Sequence, residues 1–145
     1  MPDDTSVVVT ADHGMVDVPF ADRVDLAHEP ALMSGVRHLG GEARNLQLYT
    51  DAGAAADVEQ AWTSRFGERV RVLTRERAVD EGWFGTVRPD VLQRIGDLLV
   101  VTTGTFAIVH SGLMRREVVA LLGLHGSTSE AEIAVPVVVV PPRRG

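Results

Sequence analysis

No cysteine and no lysine occur in the sequence, and Asn45 and Tyr49 stand alone of their kinds. Without cysteine there is no disulfide and no thiolate ligand, so any metal must be held by oxygen and nitrogen donors. The missing lysine excludes a lysine nucleophile or Schiff base from this chain. All fourteen basic residues are arginine, which reads as the codon bias of a GC-rich, bacterial genome. No apolar run approaches the roughly 20 residues of a membrane span. The opening "MPDDTS" lacks the basic and apolar regions of a secretory leader, which favours the cytoplasm. Positive charge is scarce too: the formal net charge is −6 and the pI about 5.3. A nucleic-acid polymer, whose binding rests on neutralising phosphates, is not the expected partner. A small anionic substrate would have to meet arginine or a metal.

What the chain does have is a hydrophobic content of 45% over 145 residues, enough for one domain core or for a piece of a larger one. Residues 6–10 and 135–140 carry valine runs that read as buried strands. Between 15 and 43, Pro19, Pro30, Gly35 and the Gly40–Gly41 pair predict loops with short strands or turns. "ARNLQLYT" (43–50) alternates as a strand. Val58, Ala61, Trp62 and Phe66 then recur at helical spacing, Gly67 fits the helix end, and "RVRVLT" (69–74) alternates again. A β-α-β unit over 43–74 follows. Thr74 is placed to cap a short helix that Gly82 ends, and Pro89 to open another. "LLVVTT" (98–103) and "FAIVH" (106–110) read as strands, and 114–122 as a weak helix.

Two histidine–glycine pairs carry the chemistry. In "SVVVTADHGMVDVP" (6–19), Asp12 and His13 stand where the first strand ends, and Gly14 lets the backbone turn. Ligands in open α/β sheets gather at carboxyl ends of strands, so the position suits a metal or catalytic pair. A lone Asp-His dipeptide is more often a hydrogen-bonded turn. The second pair, His125–Gly126 in "GLHGSTSEAEIAVPVVVV" (123–140), shifts that balance, although only the fold can bring the two together. Ser129 and Glu132 match a capping box. His28 and His38 read as surface or satisfied histidines, and so does His110, the best reserve ligand. Trp62, Phe66 and Trp83 read as core. Arg69, Arg71, Arg75 and Arg77 read as a solvated face.

"VVVTADHGMVDVP" and "GLHGSTSEAEIAVPV", with "GGEARNLQLYT" and "RIGDLLVV" between them, resemble the C-terminal part of the type I phosphodiesterase/nucleotide pyrophosphatase family of the alkaline phosphatase superfamily. The resemblance implies an α/β fold, the C-terminal portion of an alkaline-phosphatase-like sheet sandwich, with a small β-α-β insertion at about residues 43–74. It implies metal-dependent hydrolysis of phosphodiesters or nucleotide pyrophosphates at two zinc ions. Asp12 and His13 would hold the zinc that also binds the nucleophile, and His125 the other. Zinc on such donors polarises a phosphoryl group and stabilises entering and leaving oxygens.

The family's nucleophilic threonine or serine and three further ligands lie upstream of the Asp-His-Gly-Met motif, where this chain has only eleven residues. Thr5 and Thr10 sit beside or within the strand and match no nucleophile motif. The expectation is therefore that residues 1–145 form a single C-terminal fragment holding no catalytic nucleophile. Its two-zinc site would be incomplete and the isolated chain inactive. Strands cut from their neighbours would pair with other chains, so a homo-oligomer is expected. Alternative readings are a phosphonoacetate-hydrolase-like enzyme, a cofactor-independent phosphoglycerate-mutase-like enzyme, or a non-catalytic, self-associating interaction module.

Overall fold

The computed structural model describes residues 4–142. Their strands and helices run β1 (Val7–Thr10), β2 (Val16–Asp17), β3 (Arg23–Asp25), β4 (Val36–Glu42), β5 (Asn45–Thr50), α1 (Ala55–Phe66), β6 (Val70–Thr74), α2 (Arg75–Asp80), α3 (Pro89–Leu92), β7 (Leu98–Thr102), β8 (Ala107–Val109), α4 (Arg116–Ala120), β9 (Gly123–Leu124), α5 (Glu130–Ile133) and β10 (Val137–Val140). The fold is α/β with several separate sheets.

The largest sheet has the order β4-β5-β7-β6, antiparallel throughout. β5 alternates as its sequence predicts, with Leu46, Leu48 and Thr50 buried. α1 lays Val58, Trp62 and Phe66 on the same side, and the Trp62 indole donates to the Leu32 carbonyl at 2.8 Å. Gly67 ends this helix at φ +56°, a left-handed conformation that costs glycine nothing. The expected β5–α1–β6 unit is there, but β7 lies between its two strands. β5 and β6 are each antiparallel to β7 and hence parallel to one another. β7 is buried along its whole length because both faces are covered. Leu98 and Val100 meet α1, and Leu99 packs with Leu73, Ala78 and Ile95 on the other side. The Thr74 hydroxyl accepts from the Arg77 amide as the cap of α2, and Pro89 opens α3.

Two readings need correction, the loop at Gly40–Gly41 and the burial of the valine strands. The Gly40–Gly41 pair lies inside β4, a seven-residue strand with a register shift between Val36 and His38, and not in a loop. The two strands expected over 98–103 and 106–110 are both there, at Leu98–Thr102 and Ala107–Val109, and they lie in different sheets, β8 pairing in parallel with β3. The valine strands are not buried and not central: among the described residues β1 and β10 pair only with each other, antiparallel, Val8 opposite Val139. Val8, Val9 and Val137 to Val140 are all more than half exposed. A continuous β-branched run reports strand propensity and apolar character. It does not report whether anything covers the faces, and among the described residues little does.

Candidate metal centre

The two histidine motifs meet because β2 pairs antiparallel with β9, Val16 opposite Leu124. The chain just before Val16 therefore runs beside the chain just after Leu124, which brings residues 13–15 to His125. The imidazoles of His13 and His125 stack with centroids 3.6 Å apart and 15° between their planes. Val18, Ala43, Ala107, Val109 and Leu124 form the apolar floor that joins this end of the molecule to the main sheet.

Each motif glycine is required by packing. A Cβ on Gly14 would lie 2.0 Å from the Ala131 carbonyl oxygen. Gly126 has φ +118°, and its Cβ would approach the Cβ atoms of Glu42 and Asn45 to 3.1 and 3.4 Å. The Asp-His-Gly loop thus rests directly on the backbone of α5, and the His-Gly loop on the start of β5.

His13 Nδ1 lies 2.9 Å from the Gly14 carbonyl oxygen. A carbonyl only accepts, so Nδ1 carries a proton and a metal would meet the ring at Nε2. That nitrogen is 3.8 Å from Asp12 Oδ2, too far for a hydrogen bond. A cation with bonds of about 2.0–2.2 Å to both would reach across this gap. The Asp12 carboxylate is open to solvent, and its Oδ1 accepts from the His13 amide at 3.1 Å. Asp12 and His13 could therefore hold a metal as part of a ligand set, with the His125 ring stacked beside them. Among the described residues no group of three or more histidine, aspartate or glutamate side chains converges on one point as a complete site.

The other histidines stay apart from this pair in role. His28 is exposed and 3.7 Å from Asp25, His38 is exposed on β4, and His110 Nδ1 accepts from the Gly112 amide at 3.2 Å. Of the four arginines read as solvated, Arg75 is partly buried, donating to the Ile95 carbonyl and to Asp97. Arg71 and Arg77 share Glu81 at the surface. Trp83 is half-buried against the Leu73–Leu99 cluster instead of fully enclosed.

Glu132 and Arg44 were not legible as partners. Ser129 does stand at the N-cap of α5, but its hydroxyl makes no capping bond to the helix amides and donates instead to Glu132 Oε2. Glu132 points inward, 2% exposed, and forms a two-pronged ion pair with fully buried Arg44, Nε to Oε1 at 2.8 Å and Nη2 to Oε2 at 2.9 Å. Burial opposes the ionisation of Glu132. Hydrogen bonds from Arg44, Ser129 and the Ser127 amide outweigh it and hold the carboxyl at about 2. No spacing links positions 44 and 132, and Arg44, expected within a strand over 43–50, lies instead in the turn before β5.

A family model of type I phosphodiesterase / nucleotide pyrophosphatase matches residues 1–128. The chain belongs to that family, a hydrolase lineage of the alkaline phosphatase superfamily. No curated protein matches. Among solved structures, human ectonucleotide pyrophosphatase/phosphodiesterase 5 is similar with a TM-score of 0.66 at 16% identity, over 92% of this chain and 33% of that one. The murine protein, as an inactive variant in complex with AMP, gives 0.71 at 16% identity over 94% and 34%. Phosphonoacetate hydrolase from Sinorhizobium meliloti, in complex with phosphonoformate, gives 0.65 at 22% identity over 92% and 35%. The fold is thus a partial alkaline-phosphatase-like fold, and the chain spans about a third of the length of these structures.

Proposed function

We propose that this chain supplies part of the metal centre of a longer phosphodiester- or nucleotide-pyrophosphate-hydrolysing enzyme. Residues 1–145 would be the C-terminal portion of its catalytic domain, with the nucleophile and the remaining ligands outside them. The observation that carries the reading is the stack of His13 on His125, which joins two motifs that the sequence keeps far apart. In it Asp12 and His13 serve one zinc and His125 the other. Asp12 contributes negative charge and an oxygen donor. His13, with its Nδ1 proton held by the Gly14 carbonyl, contributes a lone pair aimed by the backbone. Zinc bound there would supply Lewis acidity and positive charge toward a phosphate, which this acidic chain lacks.

The test is the full-length gene product assayed with a chromogenic phosphodiester and with nucleoside triphosphates in the presence of zinc. His13→Ala and His125→Ala should each bring turnover to background, and the isolated chain should show none. Full activity of the His125→Ala enzyme would refute the assignment. Preferential turnover of phosphonoacetate would move the substrate class to phosphonates.

A further inference from the structure

We infer that Glu132 is a positioning residue, anchored on Arg44, that sets the loops bearing His13 and His125 in register with each other. Glu132 touches both loops at once. Its main-chain carbonyl accepts from the Gly14 amide at 2.7 Å, one residue beyond His13. Its carboxylate Oε1 accepts from the Ser127 amide at 2.9 Å, two residues beyond His125. The first bond ties the Asp-His-Gly loop to α5, and the second ties the His-Gly loop to the same residue.

Arg44 makes the strut rigid. Its third bond, Nη1 to the Phe106 carbonyl at 2.8 Å, fastens the guanidinium to the start of β8, while the fork grips both carboxylate oxygens. Ser127 is itself held by its hydroxyl, which donates to the Thr102 carbonyl at the end of β7. Each carboxylate oxygen of Glu132 thus accepts two bonds, Oε1 from Arg44 and Ser127, Oε2 from Arg44 and Ser129. A network satisfied to this degree specifies one geometry and resists sliding. Stability alone does not call for it, because a buried ion pair is commonly no better than an apolar replacement of similar volume. α5 is moreover a four-residue helix whose apolar Ile133 faces solvent. What the pair provides at this place is the relative position of two loops.

The contacts stand by themselves; their consequence for metal binding rests on the reading of Asp12, His13 and His125 as ligands. The experiment is NMR of the chain with labelled histidine, together with a cobalt(II) titration of the full-length gene product followed by absorption. The wild-type chain should show a ring-to-ring NOE between His13 and His125. In Glu132→Gln, below its melting temperature, that NOE should disappear and cobalt affinity should fall by about 10–100-fold. Glu81→Gln, which breaks only the exposed pairs with Arg71 and Arg77, should change neither. If Glu132→Gln does not fold, Glu132→Asp carries the same test. It keeps a buried charge for Arg44 while drawing the carboxylate back from Ser127. An unchanged NOE in a folded Glu132 variant overturns the positioning role, since a merely structural residue would lower the melting temperature and leave the rings together. A wild-type NOE with no cobalt uptake by the full-length gene product overturns the ligand reading and leaves the positioning role standing.

Discussion

His13 and His125 stack face to face at 3.6 Å because residue 16 on β2 pairs with residue 124 on β9. On the proposed reading the two rings serve neighbouring ions, and two-metal phosphoryl-transfer sites space their ions about 3.5–4 Å apart. That reading gives three protein donors among the described residues for two positions, which makes chelation by the isolated chain weak. Isothermal titration of the isolated chain with zinc should therefore give substoichiometric binding, lost in Asp12→Ala/His13→Ala and reduced in His125→Ala. Tight uptake of two zinc ions per chain would point to further ligands, with His110 the first to test.

The glycines make a second, sharper case. Gly14→Ala places a methyl 2.0 Å from the Ala131 oxygen, and the atoms it meets are all backbone of α5, with no flexible side chain among them to yield. Overpacking of this kind costs about 1–3 kcal/mol or more. Gly53, by contrast, has φ +82° with nothing within 4 Å of its would-be Cβ, so Gly53→Ala costs only the left-handed strain of about 1–2 kcal/mol. Urea denaturation should show the Gly14 variant as the less stable of the two. It should also lose the His13–His125 NOE, which the Gly53 variant keeps.

Much of this was readable from local pattern. The alternation in 45–50, the helical spacing of Val58, Trp62 and Phe66, the cap at Thr74 and the stop at Gly67 are short-range signals, and the structure follows each. So were the two His-Gly turns as separate motifs, and the family resemblance is matched by the family model over residues 1–128. What failed depended on distant partners. Valine runs at 7–9 and 137–140 look the same in sequence whether covered or open, and here all but the half-buried Val7 are open. Ser129 and Glu132 look like a cap until Arg44, arriving from a hairpin turn, claims the carboxylate. The insertion of β7 between β5 and β6 is likewise a matter of topology that no local period encodes.

The buried carboxylate predicts an acid limb of stability. The folded Glu132 carboxyl sits at about 2 against an ordinary value of 4.5, so the unfolded chain binds its proton more readily than the folded one. Its contribution is fully present above about pH 4.5 and is lost as pH falls from there toward 2. The shift corresponds to about 3 kcal/mol. Urea midpoints measured between pH 6 and pH 2.5 should fall steeply below pH 4.5 in the wild-type chain. Glu132→Gln should be less stable at pH 7 by about 3–5 kcal/mol, the usual cost of leaving a buried charge unpaired, and should lose most of that pH slope. Equal slopes in the two proteins would show that other carboxylates govern the acid transition.

The valine ribbon predicts self-association. β1 and β10 form a two-stranded sheet whose outer edges carry unpaired amides and carbonyls among the described residues. Val8 and Val139, directly opposed, are 61% and 59% exposed, and the opposed pair Val9 and Val138 is likewise open at 56% and 54%. Opposed residues share a face and successive ones alternate, so both faces of the ribbon present valine. An apolar, flat edge of this kind pairs readily with another chain, and an apolar patch of a few hundred Å² is uncommon on a soluble monomer. Sedimentation equilibrium at micromolar concentration should show a dimer or larger species. Val8→Lys combined with Val138→Lys puts one charge on each face while leaving His13 and His125 untouched. It should shift the equilibrium toward monomer without abolishing the cooperative melt. A wild-type chain that sediments as a monomer and melts cooperatively would show the ribbon to be self-sufficient, and with it would go the reading of these strands as surfaces cut from a larger domain.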